Sequence, residues 1–158
     1  MIEFIVEGKP KGKGRPRFTS RGKWVRAYTP TETAEYEAAI QSAFLEAKNR
    51  ADFVKFADGT PCALFVVGYF EPPKSVSKKR RQELLAEGEY TQKPDGDNIL
   101  KIVCDALNGL AFADDKQVSL KIARKRYAEN NGLQVYIGGI AEIADCFFAR
   151  LREWDNGE

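Results

Sequence analysis

The chain has 158 residues, with 25 Lys and Arg against 23 Asp and Glu, no histidine, and a formal net charge of +2. That length suits one ordinary domain able to bury a core without disulfides or a structural metal. The absence of histidine excludes a His-based triad, an imidazole general base and any histidine metal ligand. Cys62, Cys104 and Cys146 are scattered in apolar surroundings with no CxxC pair. They read as buried free thiols in a reducing cytosol, and they leave a zinc site short of ligands. Any metal bound here takes oxygen ligands, which points to a hard cation such as Mg²⁺ or Mn²⁺. Glu3 and Glu7 interrupt the first apolar residues, and no apolar run is long enough for a bilayer, so neither a secretory leader nor a membrane partner is expected.

In chain order, Ile2, Phe4 and Val6 alternate with Glu3, Ile5 and Glu7, which predicts a first strand. Glycine and proline in KPKGKGRPRFTSRGK then predict a loop spanning 9–28. This loop carries Lys9, Lys11, Lys13, Arg15, Arg17, Arg21, Lys23 and Arg26 with no acidic residue. Thr29 and Pro30 mark a helix start, with Glu32 placed for a capping box. That helix is expected to reach about Lys48, with Ala39, Ile40, Ala43, Phe44 and Ala47 on its apolar face. The unbroken apolar run CALFVVGYF, 62–70, predicts a central strand ended by Pro72 and Pro73. A short serine-capped helix over 75–86 follows, carrying Lys78, Lys79, Arg80 and Arg81.

Beyond Gly88 the sequence KPDGDN opens a helix on which Ile99, Ile102, Val103, Ala106 and Leu110 recur at helical spacing, ending near Asn108-Gly109. Val118, Leu120 and Ile122 predict a strand, and Leu133, Val135 and Ile137 another. The turn signal Asn130-Asn131-Gly132 between them suggests a hairpin. A final helix is expected at about 141–154. The order β-α-β-α-α-ββ-α predicts a single α+β domain over 1–158, with a mixed sheet covered by helices.

The acids raise the chemical question. Asp95 and Asp97 flank Gly96, and in an extended segment residues two apart project to one side, able to converge on a cation. The alternative is a helix cap, with Asp97 or Asn98 bonding the first turn and Asp95 favouring its positive end. A calcium loop of the EF-hand type fails, because the twelfth position from Asp95 is Ala106 and not Glu. Asp97, Lys101, Asp105 and Asn108 form a polar stripe on the helix, which alone reads as a solvated face. Asp114 and Asp115 alone read as a turn. Together, two acidic clusters at the two ends of one helical segment, beside strongly basic loops, point to a cation and a polyanion. Gathered carboxylates repel one another unless a cation sits among them.

KPDGDNILKIVCDALNGLAFADDKQV, Lys93 to Val118, resembles the signature of the RusA family of Holliday junction resolvases. The shared pattern is D-x-D-N, a lysine four residues after the second Asp, then D-A-L, then D-D-x-Q before a strand. GKPKGKGRPRF and the YTPTETAEYE after it resemble the basic N-terminal segment of many members, prophage-encoded ones included.

The resemblance implies that Asp95, Asp97 and Asp115 are metal-binding carboxylates and that Lys101 is a catalytic basic residue, with Asn98, Asp105, Asp114 and Gln117 matching further family positions, Asp105 and Asp114 as second-layer or structural groups. It implies Mg²⁺ or Mn²⁺ as cofactor, no small-molecule cofactor, and a homodimer that cuts four-way junction DNA by paired symmetric nicks. Lys101 either stabilises charge at the phosphorus or restrains the carboxylates before metal arrives. Lys9, Lys11, Lys13, Arg15, Arg17, Arg21 and Lys23, with Lys78, Lys79, Arg80 and Arg81, are the expected phosphate contacts. Phe18 and Trp24 are candidates for stacking on exposed bases, or for anchoring the loop. A non-catalytic nucleic-acid-binding module and a general nuclease without junction preference remain the competing readings.

Overall fold

The computed structural model describes residues 1–15, 17–21, 24–28 and 30–156. Six strands and four helices form one α+β domain: β1 Ile2–Glu7, β2 Arg17–Arg21, β3 Trp24–Tyr28, α1 Thr31–Arg50, β4 Cys62–Phe70, α2 Lys78–Glu87, α3 Gly96–Leu107, β5 Val118–Tyr127, β6 Gly132–Gly138 and α4 Ile140–Asp155. A 3₁₀ turn, Asp115–Gln117, precedes β5.

The main sheet has the order β1-β6-β4-β5. β4 is its centre, and its two faces bury different layers. Cys62, Leu64, Val66 and Phe70 face α1 and α3 together with Ile2, Phe4, Val6, Leu133, Val135 and Ile137. Ala63, Phe65 and Val67 face α4 with Tyr136 and Ile143. A strand covered on both sides has no polar face to show, which is why 62–70 reads as one apolar run. β1 sits at an edge with only its Ile2, Phe4 and Val6 face buried, so it alternates cleanly.

Two expectations need correction. The strands before and after Asn130-Asn131-Gly132 do not form a hairpin. β5 pairs with β4 in parallel, and β6 pairs with β4 antiparallel from the other side. The link between them passes over the end of β4, where the Ala128 amide donates to the Phe70 carbonyl at 3.0 Å and the Glu71 amide donates to Asn131 Oδ1 at 3.1 Å. The local turn signal marked a reversal but could not say that a more apolar strand lies between its arms. Second, the basic segment is not wholly irregular: β2 and β3 pair as an antiparallel ribbon, Arg17 opposite Tyr28 and Arg21 opposite Trp24. The β-branched and aromatic content of RFTS and WVRAY carried that signal, masked by the charges around it.

Helix starts also moved. α1 has Pro30 at its N-cap without a side-chain bond, and the expected cap Thr29 lies outside the described residues. α2 is capped by Ser77, whose hydroxyl accepts from the Arg80 amide. No helix is long and apolar enough to cross a membrane among the described residues. Burial pushes the thiols of Cys62, Cys104 and half-buried Cys146 up, Cys104 to about 11, which favours the thiol over the thiolate.

Candidate active site

The acidic loop is placed from behind by β5. α2 ends on Gly88 at φ 74°, a left-handed cap that glycine adopts without strain. The Tyr127 amide donates to the Gly88 carbonyl at 2.8 Å and the Tyr90 amide to the Lys125 carbonyl at 3.2 Å, so the loop runs beside the sheet edge. The Tyr90 ring stacks on Phe70 at 3.8 Å, and its hydroxyl donates to the Lys93 carbonyl at 3.0 Å. Lys125 Nζ donates to the carbonyls of Gln92 at 2.7 Å and Pro94 at 3.0 Å. Tyr90 and Lys125 thus hold the chain as it enters Asp95. Neither was singled out from the sequence, because their partners are backbone atoms far along the chain.

α3 begins at Gly96, so Asp97 stands in its first turn and not on an extended segment. Asp95 occupies the N-cap, yet its carboxylate makes no capping bond. Asp95 and Asp97 are exposed and line one open cleft of about 940 Å³ between the Gly12–Arg15 segment and Lys93–Asn98. Asp95 thus stands at the positive end of α3 with its carboxylate unspent on a capping bond.

The other acids divide by what they touch. Asp114 is a true cap: its Oδ1 accepts from the Lys116 amide at 2.9 Å. Buried Gln117 pins the same turn, accepting from the amides of Ala113 and Asp114 at 2.8 and 3.0 Å. Its Nε2 donates to the carbonyls of Ala57 and Thr60 at 2.6 and 2.9 Å. Gln117→Leu strands these groups and is expected to cost about 2–3 kcal/mol in urea unfolding. It should also speed amide exchange at 114–118; unchanged stability would refute this role.

Asp105 pairs with Lys13 at 2.6 Å. Lys101 is exposed one turn beyond Asp97 and forms no ion pair among the described residues, so the weak Asp97–Lys101 helix pair is not made. Asp115 is half-buried at the start of the 3₁₀ turn. It lies, with Asp105, in electrostatic reach of Cys104. Cys104 is seven residues beyond Asp97, about 10 Å along the helix. Among the described residues no three or more His, Cys, Asp or Glu side chains gather closely enough to hold a metal ion.

A family model for the endodeoxyribonuclease RusA matches residues 7–138. The chain belongs to the RusA endodeoxyribonuclease family. It is also similar to a protein of Bacillus subtilis (strain 168) named "Uncharacterized protein YqaN", 34% identical over 140 residues, covering 86% of this chain and 94% of that protein. The RusA match runs from the end of β1 to the end of β6, so it takes in the acidic loop, α3 and the basic segment but not α4.

Within this RusA domain the basic residues fall into groups that their spacing does not separate. Lys9, Lys11 and Arg15 are exposed and border a cavity of about 840 Å³ shared with Pro30, Thr31 and Pro94. Lys13 lies among them in sequence, yet its ammonium is held between Glu37, at 2.5 Å, and Asp105. Burial alone would pull its pKa down, but the hydrogen bonds it donates to Asp105 and Glu37 outweigh that and hold it above the ordinary value. Lys78 and Lys79 are exposed in the first turn of α2, a helix with no acidic residue there. Cations at a helix N-terminus oppose the dipole, so helix stability does not account for them. Arg80 pairs with Glu83 and Glu87, and Arg81 with Glu129. Phe18 on β2 is 70% exposed. Lys23, and the side chains of Arg17, Arg21 and Trp24, lie outside the described residues.

Proposed function

We propose that this RusA-family protein is a divalent-cation-dependent endonuclease that acts as a homodimer and resolves four-way DNA junctions by paired symmetric nicks. One observation carries the reading. Asp95 sits where a helix cap belongs, caps nothing, and shares an open cleft with Asp97, Arg15 and Lys93. Two exposed carboxylates amid cations suit a site that first takes up metal and then phosphate.

The donor set fits Mg²⁺ or Mn²⁺ in a limited form. Both side chains offer only oxygen, and Mg²⁺ is commonly held by one or two carboxylates, with waters and substrate phosphates completing its shell. Asp95 and Asp97 would hold it, and Asp115 would join directly, through water or after a shift of its turn. A bound cation would supply Lewis-acid polarisation of the scissile phosphate and activation of water. Arg15 presents a bidentate guanidinium to a phosphate entering the cleft. Lys101, exposed on the same helix, is free to stabilise charge that develops on the phosphate oxygens. The exposed Lys9, Lys11, Lys78 and Lys79 would track the backbone of the junction arms.

The deciding assay compares a labelled four-way junction, a linear duplex and splayed arms at one salt concentration, with Mg²⁺ and with EDTA. Symmetric nicks on the junction that disappear with EDTA are expected. Equal cutting of all three substrates would replace this reading with a general nuclease, and junction binding without metal-dependent nicks would replace it with a binding module.

A further inference from the structure

The Gly12–Gly14 segment crosses the N-terminal ends of α1 and α3 as a strap. The Lys13 amide donates to the carbonyl of Asn98, the residue after Asp97, at 3.0 Å. Its ammonium reaches Glu37 of α1 at 2.5 Å and Asp105 of α3 at 2.6 Å. The Lys13 side chain is only 21% exposed. Gly12 lies flat on the acidic turn: a Cβ there would stand 2.9 Å from Asn98 Cβ and 3.1 Å from Pro94 Cβ, both short side-chain stems with no freedom to swing away. The strap thus touches the chain on both sides of the Asp95–Asp97 pair, and the residue that follows it is Arg15, which walls the same cleft.

We propose that Lys13 is a positioning residue and not a phosphate ligand: it buckles the strap to α1 and α3, and so holds Arg15 and the Asp95–Asn98 turn in fixed register. The inference rests on the reading of Asp95 and Asp97 as the carboxylates of the reacting centre. Two carboxylates share one ammonium, so the group as a whole is negative, and a DNA phosphate gains nothing by approaching it. Lys9, Lys11 and Arg15 have no such enclosure. The alternating Lys-x-Lys-x-Lys-x-Arg pattern therefore divides into exposed cations on either side of one committed to the fold.

Three variants of the full chain test this: Lys13→Met, Gly12→Ala, which removes no charge, and Asp105→Asn, which leaves the ammonium to Glu37 alone. Junction affinity is measured across a salt series in EDTA, nicking under single-turnover conditions with saturating enzyme and Mg²⁺, and amide exchange over 12–14 and 95–99. All three variants are expected to exchange faster in both segments, and to nick about 10-fold or more slowly, as when a group that orients a metal ligand is lost. Their log-affinity against log-salt slopes should match wild type.

A slope for Lys13→Met lower by about 0.9, the value for one lost phosphate contact, overturns the proposal. So does a salt slope for Asp105→Asn steeper by about 0.9, the mark of one gained phosphate contact, or wild-type exchange in Lys13→Met. If the wild-type chain itself fails to nick, the functional reading falls, and the exchange and salt series still decide whether Lys13 is a buckle.

Discussion

Asp95→Asn and Asp97→Asn are each expected to lower junction nicking by about 10²-fold or more, the scale seen when one charge-stabilising group is taken from a reacting centre. Junction affinity in EDTA should hold or tighten. Both substitutions keep side-chain volume and remove one negative charge from a cleft meant for phosphate. Asp95 makes no capping bond that asparagine would break, so folding should be unaffected within about 0.5 kcal/mol. Asp97 stands in the first turn of α3, where its charge favours the helix. Its loss should cost up to about 1 kcal/mol, which thermal melting would register separately from activity. Asp114→Asn is the control: its carboxylate is spent on the Lys116 amide, and asparagine caps nearly as well. Full nicking by Asp95→Asn, or equal damage from Asp114→Asn, would remove Asp95 from the reacting centre.

Phe65→Ala carries the largest expected loss of stability, about 3–5 kcal/mol. Phe65 is fully buried on the α4 side of β4. Its ring stacks on Tyr136 at 5.2 Å and meets Phe147 at 5.3 Å and Trp154 at 6.4 Å edge-on. Removing it opens a cavity between sheet and helix that the rigid rings around it cannot close. The urea midpoint should fall with little change in slope. Phe148→Ala, on the same helix but 56% exposed, should cost less than about 1 kcal/mol. A mild effect at Phe65 would mean that α4 does not pack on the sheet as described.

Local periodicity made the elements readable. The strand at 62–70 has the limits expected for it, because nine apolar residues between a turn and two prolines permit little else. The apolar stripe of α3 was equally plain, with Ile99, Ile102, Val103 and Ala106 all buried. Pairing was not readable: nothing within 118–137 says that β4 stands between β5 and β6. The site divides in the same way. Asp95, Asp97 and Lys101 stood out through spacing, whereas the partners that sort the charges lie far off in sequence. Glu37 and Asp105 separate Lys13 from Arg15, and the Lys116 amide separates Asp114 from Asp115. Lys125 and Tyr90 act through backbone carbonyls, which leave no mark on residue type.

The parallel pairing of β4 with β5 has a consequence for the order of events during synthesis. All of 71–117, with α2, the acidic loop and α3, is the crossover between those two strands. Closing so long a connection costs chain entropy before any strand contact repays it, and such non-local pairings form late. A nascent chain that has emerged only as far as α3 carries Asp95 and Asp97 but not Lys125, which grips their loop through Gln92 and Pro94. The acidic loop is therefore aimed only once this strand pair has closed, and a truncated product would bear the acids without the means to aim them.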